Sequence, residues 1–209
     1  MPTALDSLQR LRDGNDRFAS NLRSLDSLLS FTRRAEFVAG QEPFAIILGC
    51  ADSRVPAELV FDQGLGDLFV IRVAGNIVAP SQVGSVEFAA TRAGARLVVV
   101  LGHTHCGAIQ ATLEELGRPP DRQSRNLRSI VDRIRPSVEP LLETELRHDP
   151  AALLQRAMRA NVRASVNQLK HGSEIIERLI DNDGLMVVGA EYSLESGKVE
   201  FFDCLPAAS

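Results

Sequence analysis

Apolar positions along the chain fall into two rhythms. Near the N-terminus Leu5, Leu8, Leu11 and Phe18 recur at helical spacing among charged residues, which predicts an amphipathic helical arm over the first ~20 residues. From residue 44 onward, short continuous apolar runs take over: Phe44 to Leu48, Leu68 to Ala74, Leu97 to Gly102 and Leu185 to Ala190. Runs of this kind suit strands covered on both faces, because a half-solvated strand would alternate polar with apolar residues.

Segments with helical patterning lie between the runs: Pro56 to Phe61, Gln82 to Ala93, Gly107 to Leu116, Leu127 to Leu146 interrupted by Pro136 and Pro140, and one long helix from Ala151 to about Asn182. Strand and helix in alternation predict right-handed crossovers and parallel pairing. A turn at Glu195-Ser196-Gly197 then sends Lys198 to Cys204 back antiparallel. The expected fold is therefore α/β, with a mainly parallel central sheet of about four parallel strands plus a C-terminal antiparallel strand. Helices flank the sheet, and an N-terminal helical arm precedes it. One domain spans 1–209, with 1–35 as the arm and 36–209 as the core, and Gly117 to Asp121 reads as an exposed loop.

Composition narrows the function. At 209 residues and 44% hydrophobic, the chain can bury a core of ordinary size. Its 23 basic residues, all Arg but Lys170 and Lys198, are scattered among 27 acids, so no nucleic-acid footprint emerges. No apolar run approaches the ~18 residues of a membrane span, and the charged N-terminus lacks a signal-peptide core, so a cytoplasmic location is expected. Cys50, Cys106 and Cys204 are too few and too far apart for a disulfide framework.

The stretch LGCADSRVPAE, Leu48 to Glu58, places Cys50, Asp52 and Arg54 one residue apart just after the first apolar run. The third run likewise ends in LGHTHCG, with His103 and Cys106 framed by Gly102 and Gly107. Two parallel strands thus deliver two thiols and an imidazole to one carboxyl edge, the usual place for chemistry in an α/β sheet. A lone strand-end cysteine is more often inert packing. A charged Asp and Arg at a buried edge are costly unless paired, however, and the combined pattern resists that explanation. Soft thiolates with an imidazole suit Zn²⁺, and three ligands leave a fourth position that Asp52 could fill or stand beside.

Those residues resemble the β-class carbonic anhydrases. The match comprises Cys50-Ala51-Asp52-Ser53-Arg54-Val55-Pro56, Arg72-Val73-Ala74-Gly75-Asn76 and Gly102-His103-Thr104-His105-Cys106-Gly107, within a likeness that covers nearly the whole chain. The resemblance implies zinc held by Cys50, His103 and Cys106. It further implies a dyad of Asp52 and Arg54 that orients a zinc-bound hydroxide for reversible hydration of carbon dioxide to bicarbonate and a proton. In a closed state of such a site Asp52 would become the fourth ligand. Ile47 stands where members that couple this state to bicarbonate carry a tryptophan, and the chain has no Trp.

Gln41 matches a glutamine that donates a hydrogen bond to substrate, Phe69 and Phe88 match aromatic residues contributed by a neighbouring subunit, and Ala74 matches a small apolar wall. A homodimer or homotetramer follows from the same resemblance, with the N-terminal helix embracing the partner and so covering Leu5, Leu8 and Leu11. Two other readings stay open: a non-enzymatic zinc protein with Asp52 as permanent fourth ligand, and a carbon disulfide or carbonyl sulfide hydrolase on the same scaffold.

The remaining singular residues read more plainly. His105 is a solvated turn residue, with a proton shuttle as the alternative. Cys204 is packing or a free thiol, and Gly75 and Asn76 either shape a turn or support the site. The stretch Arg118 to Arg135 is a loop and solvated helix, and Tyr192 matches no role.

Overall fold

A computed structural model describes residues 2–25, 38, 40–116 and 125–203. Its centre is a five-stranded sheet in the order β2-β1-β3-β4-β5, formed by β1 (Ala45–Gly49), β2 (Leu68–Arg72), β3 (Leu97–His103), β4 (Met186–Tyr192) and β5 (Val199–Asp203). β1 pairs parallel with β2 and β3, β3 pairs parallel with β4, and β5 closes the edge antiparallel to β4. The expected mainly parallel sheet with one antiparallel strand is what forms.

The strand residues sort to two faces with the period of two that a pleated strand imposes. Ile46, Leu48, Val98 and Val100 face one cluster, built with α3 (Pro80–Arg92), α4 (Gly107–Leu116), α5 (Arg128–Val138), α6 (Pro150–His171) and α7 (Glu174–Asp183). Ala45, Ile47, Leu97, Val99 and Leu101 face the other, covered by α1 (Ala4–Ala19) and the short α2 (Ala57–Val60). Every residue of β1 and β3 is buried, which accounts for their unbroken apolar character.

The N-terminal arm corrects an expectation. α1 starts at a capping box, in which Thr3 accepts from the Asp6 amide and Asp6 from the Thr3 amide. Its apolar stripe then lies on this chain's own core: Leu8 and Leu11 are buried there, and only Leu5 stays exposed. Ser7 Oγ donates to the Phe44 carbonyl at 3.1 Å, and Asn15 bridges the Val60 and Gly197 carbonyls and the Val199 amide. A partner is not needed to cover Leu8 and Leu11, because both are buried in one cluster with Ile47, Val99 and Leu101 of this chain.

The long helix also divides. α6 ends at His171, and Ser173 caps a new helix by accepting from the Ile176 amide while its hydroxyl donates to Glu87 at 2.6 Å. An apolar period that runs on through Gly172 conceals this break. Pro136 is tolerated inside α5, and Pro140 opens a 3₁₀ turn, Glu139–Glu143. Cys204 and the Gly117–Asp121 loop lie outside the described residues.

From β1 the chain moves to β2 on one side, and from β3 to β4 on the other. The connections therefore diverge between β1 and β3, a topological switch point that leaves a crevice beyond their carboxyl ends. Cys50 directly follows β1, His103 ends β3 and Cys106 directly precedes α4.

Candidate metal centre

The crevice gathers three ligating atoms. Cys50, His103 and Cys106 are all buried, and their donor atoms lie within 4.8 Å of one another. The two Sγ atoms are 4.0 Å apart, close to the ~3.8 Å that two thiolates would adopt about a tetrahedral Zn²⁺ with ~2.3 Å bonds. His103 adds the clearest sign. Its Nδ1 is 2.9 Å from the Thr104 carbonyl, and since a carbonyl only accepts, Nδ1 carries the proton. The lone pair of Nε2 is left toward the thiols, in a fully buried ring with no hydrogen-bond partner at that atom. A histidine fixed by its other nitrogen is the arrangement that metal ligation uses. The residues fit Zn²⁺.

The thiols are unequal. The contact with Cys106 Sγ, helped by the Gly75 amide, lowers the Cys50 thiol against the opposing effect of burial. Cys106 is pushed up, first by that same interaction and then by burial. The two shifts describe one proton shared by the pair, which a cation held between the two sulfurs would displace.

Asp52 stands beside this group, with Oδ2 3.8 Å from His103 Nε2. Arg54 grips it with both arms of the fork, Nε to Oδ1 at 2.9 Å and Nη2 to Oδ2 at 2.7 Å, and the Arg54 amide adds a third bond to Oδ1 at 2.9 Å. These bonds hold the Asp52 carboxyl well below the usual carboxylate range, the Arg54 side chain being the largest cause. Arg54 Nη2 also donates to the His105 carbonyl at 3.2 Å.

Several supporting residues had no defined role in the sequence. Arg72, at the end of β2, donates to the carbonyls of Cys50 at 3.1 Å and Asp52 at 2.5 Å and so pins the turn that presents both side chains. The Gly75 amide donates to Cys50 Sγ at 3.4 Å, with Gly75 at φ 72°. Asn161 and Ser165 of α6 bond to the carbonyls of Gly75 and Asn76 at 2.8 and 3.0 Å. Of the two readings left for Gly75 and Asn76, the geometry favours support of the site. Arg72 had one legible signal, its place in the matched stretch Arg72 to Asn76; Asn161 and Ser165 had none.

The proposed pocket residues separate. Ala74 follows β2 next to Gly75, on the metal side. Gln41 is exposed in the chain leading into β1. Phe69 and Phe88 pack together with ring centres 6.1 Å apart, and Phe88 is 52% exposed. Phe69 pairs with Ile46, four residues before Cys50, which puts it about 13 Å back along the sheet from this chain's own thiol. His105 is exposed and hydrogen-bonds to Glu195, while Tyr192 is buried against Phe18.

Comparison with known proteins agrees with this geometry. The family model for carbonic anhydrase matches residues 45–199. The chain is 40% identical over 195 residues to carbonic anhydrase 2 of Mycobacterium tuberculosis, covering 92% of this chain and 90% of that one. It is also 40% identical over 192 residues to the carbonic anhydrase of Mycolicibacterium smegmatis, covering 91% and 89%. Among solved structures, the β-carbonic anhydrase CcaA superposes with a TM-score of 0.72 at 26% identity, covering 94% of this chain and 95% of that one. A tetrameric β-carbonic anhydrase of Sordaria macrospora shares the fold, with a TM-score of 0.74 at 22% identity over 95% and 98%. With its switch-point crevice, its buried pair of thiols and orphaned imidazole, and this degree of likeness, the chain belongs to the β-class carbonic anhydrase family and is an enzyme of that class.

Proposed function

We propose that this chain interconverts carbon dioxide and bicarbonate with a Zn²⁺ ion held by Cys50, His103 and Cys106. The observation that carries the proposal is the unpartnered Nε2 of buried His103, facing two thiols and flanked by a clamped carboxylate. Held there, Zn²⁺ would supply Lewis acidity, making solvent acidic enough to act as a nucleophile near neutral pH. The chain does the rest. Asp52, with both oxygens tethered to Arg54, accepts a hydrogen bond from the attacking solvent and aims a lone pair at the substrate carbon. Arg72 keeps the Cys50–Asp52 turn from drifting by holding two of its carbonyls. The proton produced by hydration leaves to buffer.

Engagement of Asp52 by Arg54 favours this reading over a structural zinc site with Asp52 as permanent fourth ligand, which has no use for a guanidinium on that carboxylate. Ala74 provides an apolar wall and Gln41 a donor to the substrate. Phe69 lies too far along the sheet to reach this chain's own centre, so a second subunit would bring it and Phe88, packed against it, to that centre. Their pairing beside the exposed ring of Phe88, and the tetrameric Sordaria enzyme of the same fold, support a homodimer or homotetramer.

Stopped-flow hydration assays on zinc-loaded protein between about pH 6.5 and 9 test the proposal. Activity should rise with pH, and Asp52→Asn should cost about 10²-fold, the usual worth of a proton-handling side chain. A zinc-replete wild type inert toward carbon dioxide overturns the reading; if that protein hydrolyses carbonyl sulfide, the scaffold serves the sulfur substrates instead.

A further inference from the structure

We propose that Glu195 is a positioning residue for the reaction, holding His105 so that its carbonyl anchors Arg54 and thereby steadies Asp52. The inference rests on the roles assigned above to Asp52 and Arg54, and adds to them a residue from the far end of the chain.

The turn between β3 and α4 is unusual at one point. His105 has φ 53°, in the left-handed region that non-glycine residues avoid, so something must hold it there. The hairpin between β4 and β5 supplies the hold. Glu195 Oε1 lies 2.6 Å from His105 Nε2, and Glu195 Oε2 accepts from Thr104 Oγ1 at 3.1 Å and from Ser193 Oγ at 3.0 Å. The Leu194 amide donates back to Thr104 Oγ1 at 3.0 Å, and the Thr104 amide donates to the Tyr192 carbonyl at 3.0 Å. One carboxylate thus grips two consecutive residues of the turn from one hairpin.

The consequence appears on the other side of His105. In its left-handed conformation the residue directs its carbonyl at Arg54 Nη2, 3.2 Å away, and the same nitrogen holds Asp52 Oδ2 at 2.7 Å. If the ring is released, the backbone relaxes toward ordinary φ, the carbonyl swings off, and Arg54 is fixed only by the carboxylate it is meant to orient. Glu195 suits the task because it stays ionised: its own backbone amide first, then His105, Ser193 and Thr104, hold its carboxyl down at about 2. His105 and Glu195 also border a cavity of about 870 Å³ with Thr104 and Gln110. A proton relay is therefore the rival role for this pair.

Kinetics of zinc-loaded wild type, Asp52→Asn, Glu195→Ala and Glu195→Gln, each with metal content and Tm measured, separate these possibilities. Wild type and Asp52→Asn decide the underlying mechanism independently of Glu195. With that in place, Glu195→Ala should lose about tenfold in kcat/KM at unchanged zinc content, less than the ~10²-fold an ångström of misplacement can cost. Glu195→Gln, which still accepts from His105, should recover most of the loss. The deficit should not respond to imidazole buffer concentration, because bond formation to carbon does not wait on an external base. Three results overturn the proposal: undiminished kcat/KM in Glu195→Ala, a Gln variant as impaired as Ala, or a loss confined to kcat that added buffer restores, the last marking a proton relay.

Discussion

Gly75→Ala probes the support beneath Cys50 with a single methyl group. Gly75 has φ +72°, and a non-glycine residue there costs roughly 1–2 kcal/mol from the clash of Cβ with the carbonyl. The new Cβ would meet Ile134 Cδ1 at 2.8 Å and Ala108 Cβ at 3.2 Å. The end of Ile134 can rotate away, but Ala108 is fixed to α4, so crowding adds about 1 kcal/mol, the low end for an overfilled site. Lower entropy of the unfolded alanine chain returns roughly 0.5 kcal/mol. The net loss of about 2 kcal/mol corresponds to a fall in Tm of roughly 4–8 °C for a domain of this size. Gly84→Ala is the control. It lies on the exposed face of α3 with nothing within 4 Å of the added atom, and should gain about 0.5–1 kcal/mol from helix propensity. Thermal unfolding of metal-stripped and zinc-loaded protein measures both. Because the Gly75 amide touches Cys50 Sγ, Gly75→Ala should also surrender zinc to a chelator at lower concentration than Gly84→Ala does. A stripped Gly75→Ala protein as stable as wild type, beside a control that shifts as described, would refute the reasoning.

Other expectations reach the rest of the molecule. Leu11→Ala removes a fully buried side chain that packs in cis, so it should cost ~2–5 kcal/mol at every protein concentration; a penalty that appears only on dilution would instead place α1 on a partner. Arg54→Lys keeps the charge but not the fork on Asp52, and should lower kcat/KM on the order of tenfold without loss of bound zinc, since Arg54 touches no ligand side chain. For pH, the sign follows from Glu195, whose carboxyl is depressed from 4.5 to about 2. Its contribution is complete above about pH 4.5 and disappears as pH falls toward 2, so the stability gap between wild type and Glu195→Gln, followed by urea unfolding, should close across that interval. A gap that widens on acidification contradicts the assignment.

Legibility in the sequence followed the range of the contacts. β1 and β3 were plain because burial on both faces forbids polar residues, and the two motifs were plain because a strand end has few positions from which to present a ligand. Asp52 and Arg54 bond to one another two residues apart, so their relation is written in their spacing. Where two structures satisfy the same pattern, sequence reading stops. An amphipathic α1 can lie on its own sheet or on a neighbour's, since Leu8 and Leu11 look identical in both cases; their burial in one cluster with Ile47, Val99 and Leu101 of this chain decides it. An apolar period crossing Gly172 fits one helix or two, and the hydroxyl of Ser173, which reaches both Ile176 and Glu87, makes it two.

The centre itself shows why its supports were illegible. Each ligand or dyad residue must have a particular chemistry, which narrows its identity to one or two side chains and makes it conspicuous. The groups that hold the turns in place need only a donor or an acceptor at the right point: Arg72 from the edge strand, Asn161 and Ser165 from α6, Glu195 from the last hairpin. Many residue types could do such work from many positions, so none announces its role, not even Arg72 inside a matched stretch. They come from three separate stretches of chain, and all act on backbone carbonyls or on the flanks of the metal turn rather than on the ligand atoms. A set of ligands on two strand ends therefore becomes a defined geometry only when the whole sheet has closed, and the precision at Asp52 depends on residues more than a hundred positions away from it, as Glu195 is.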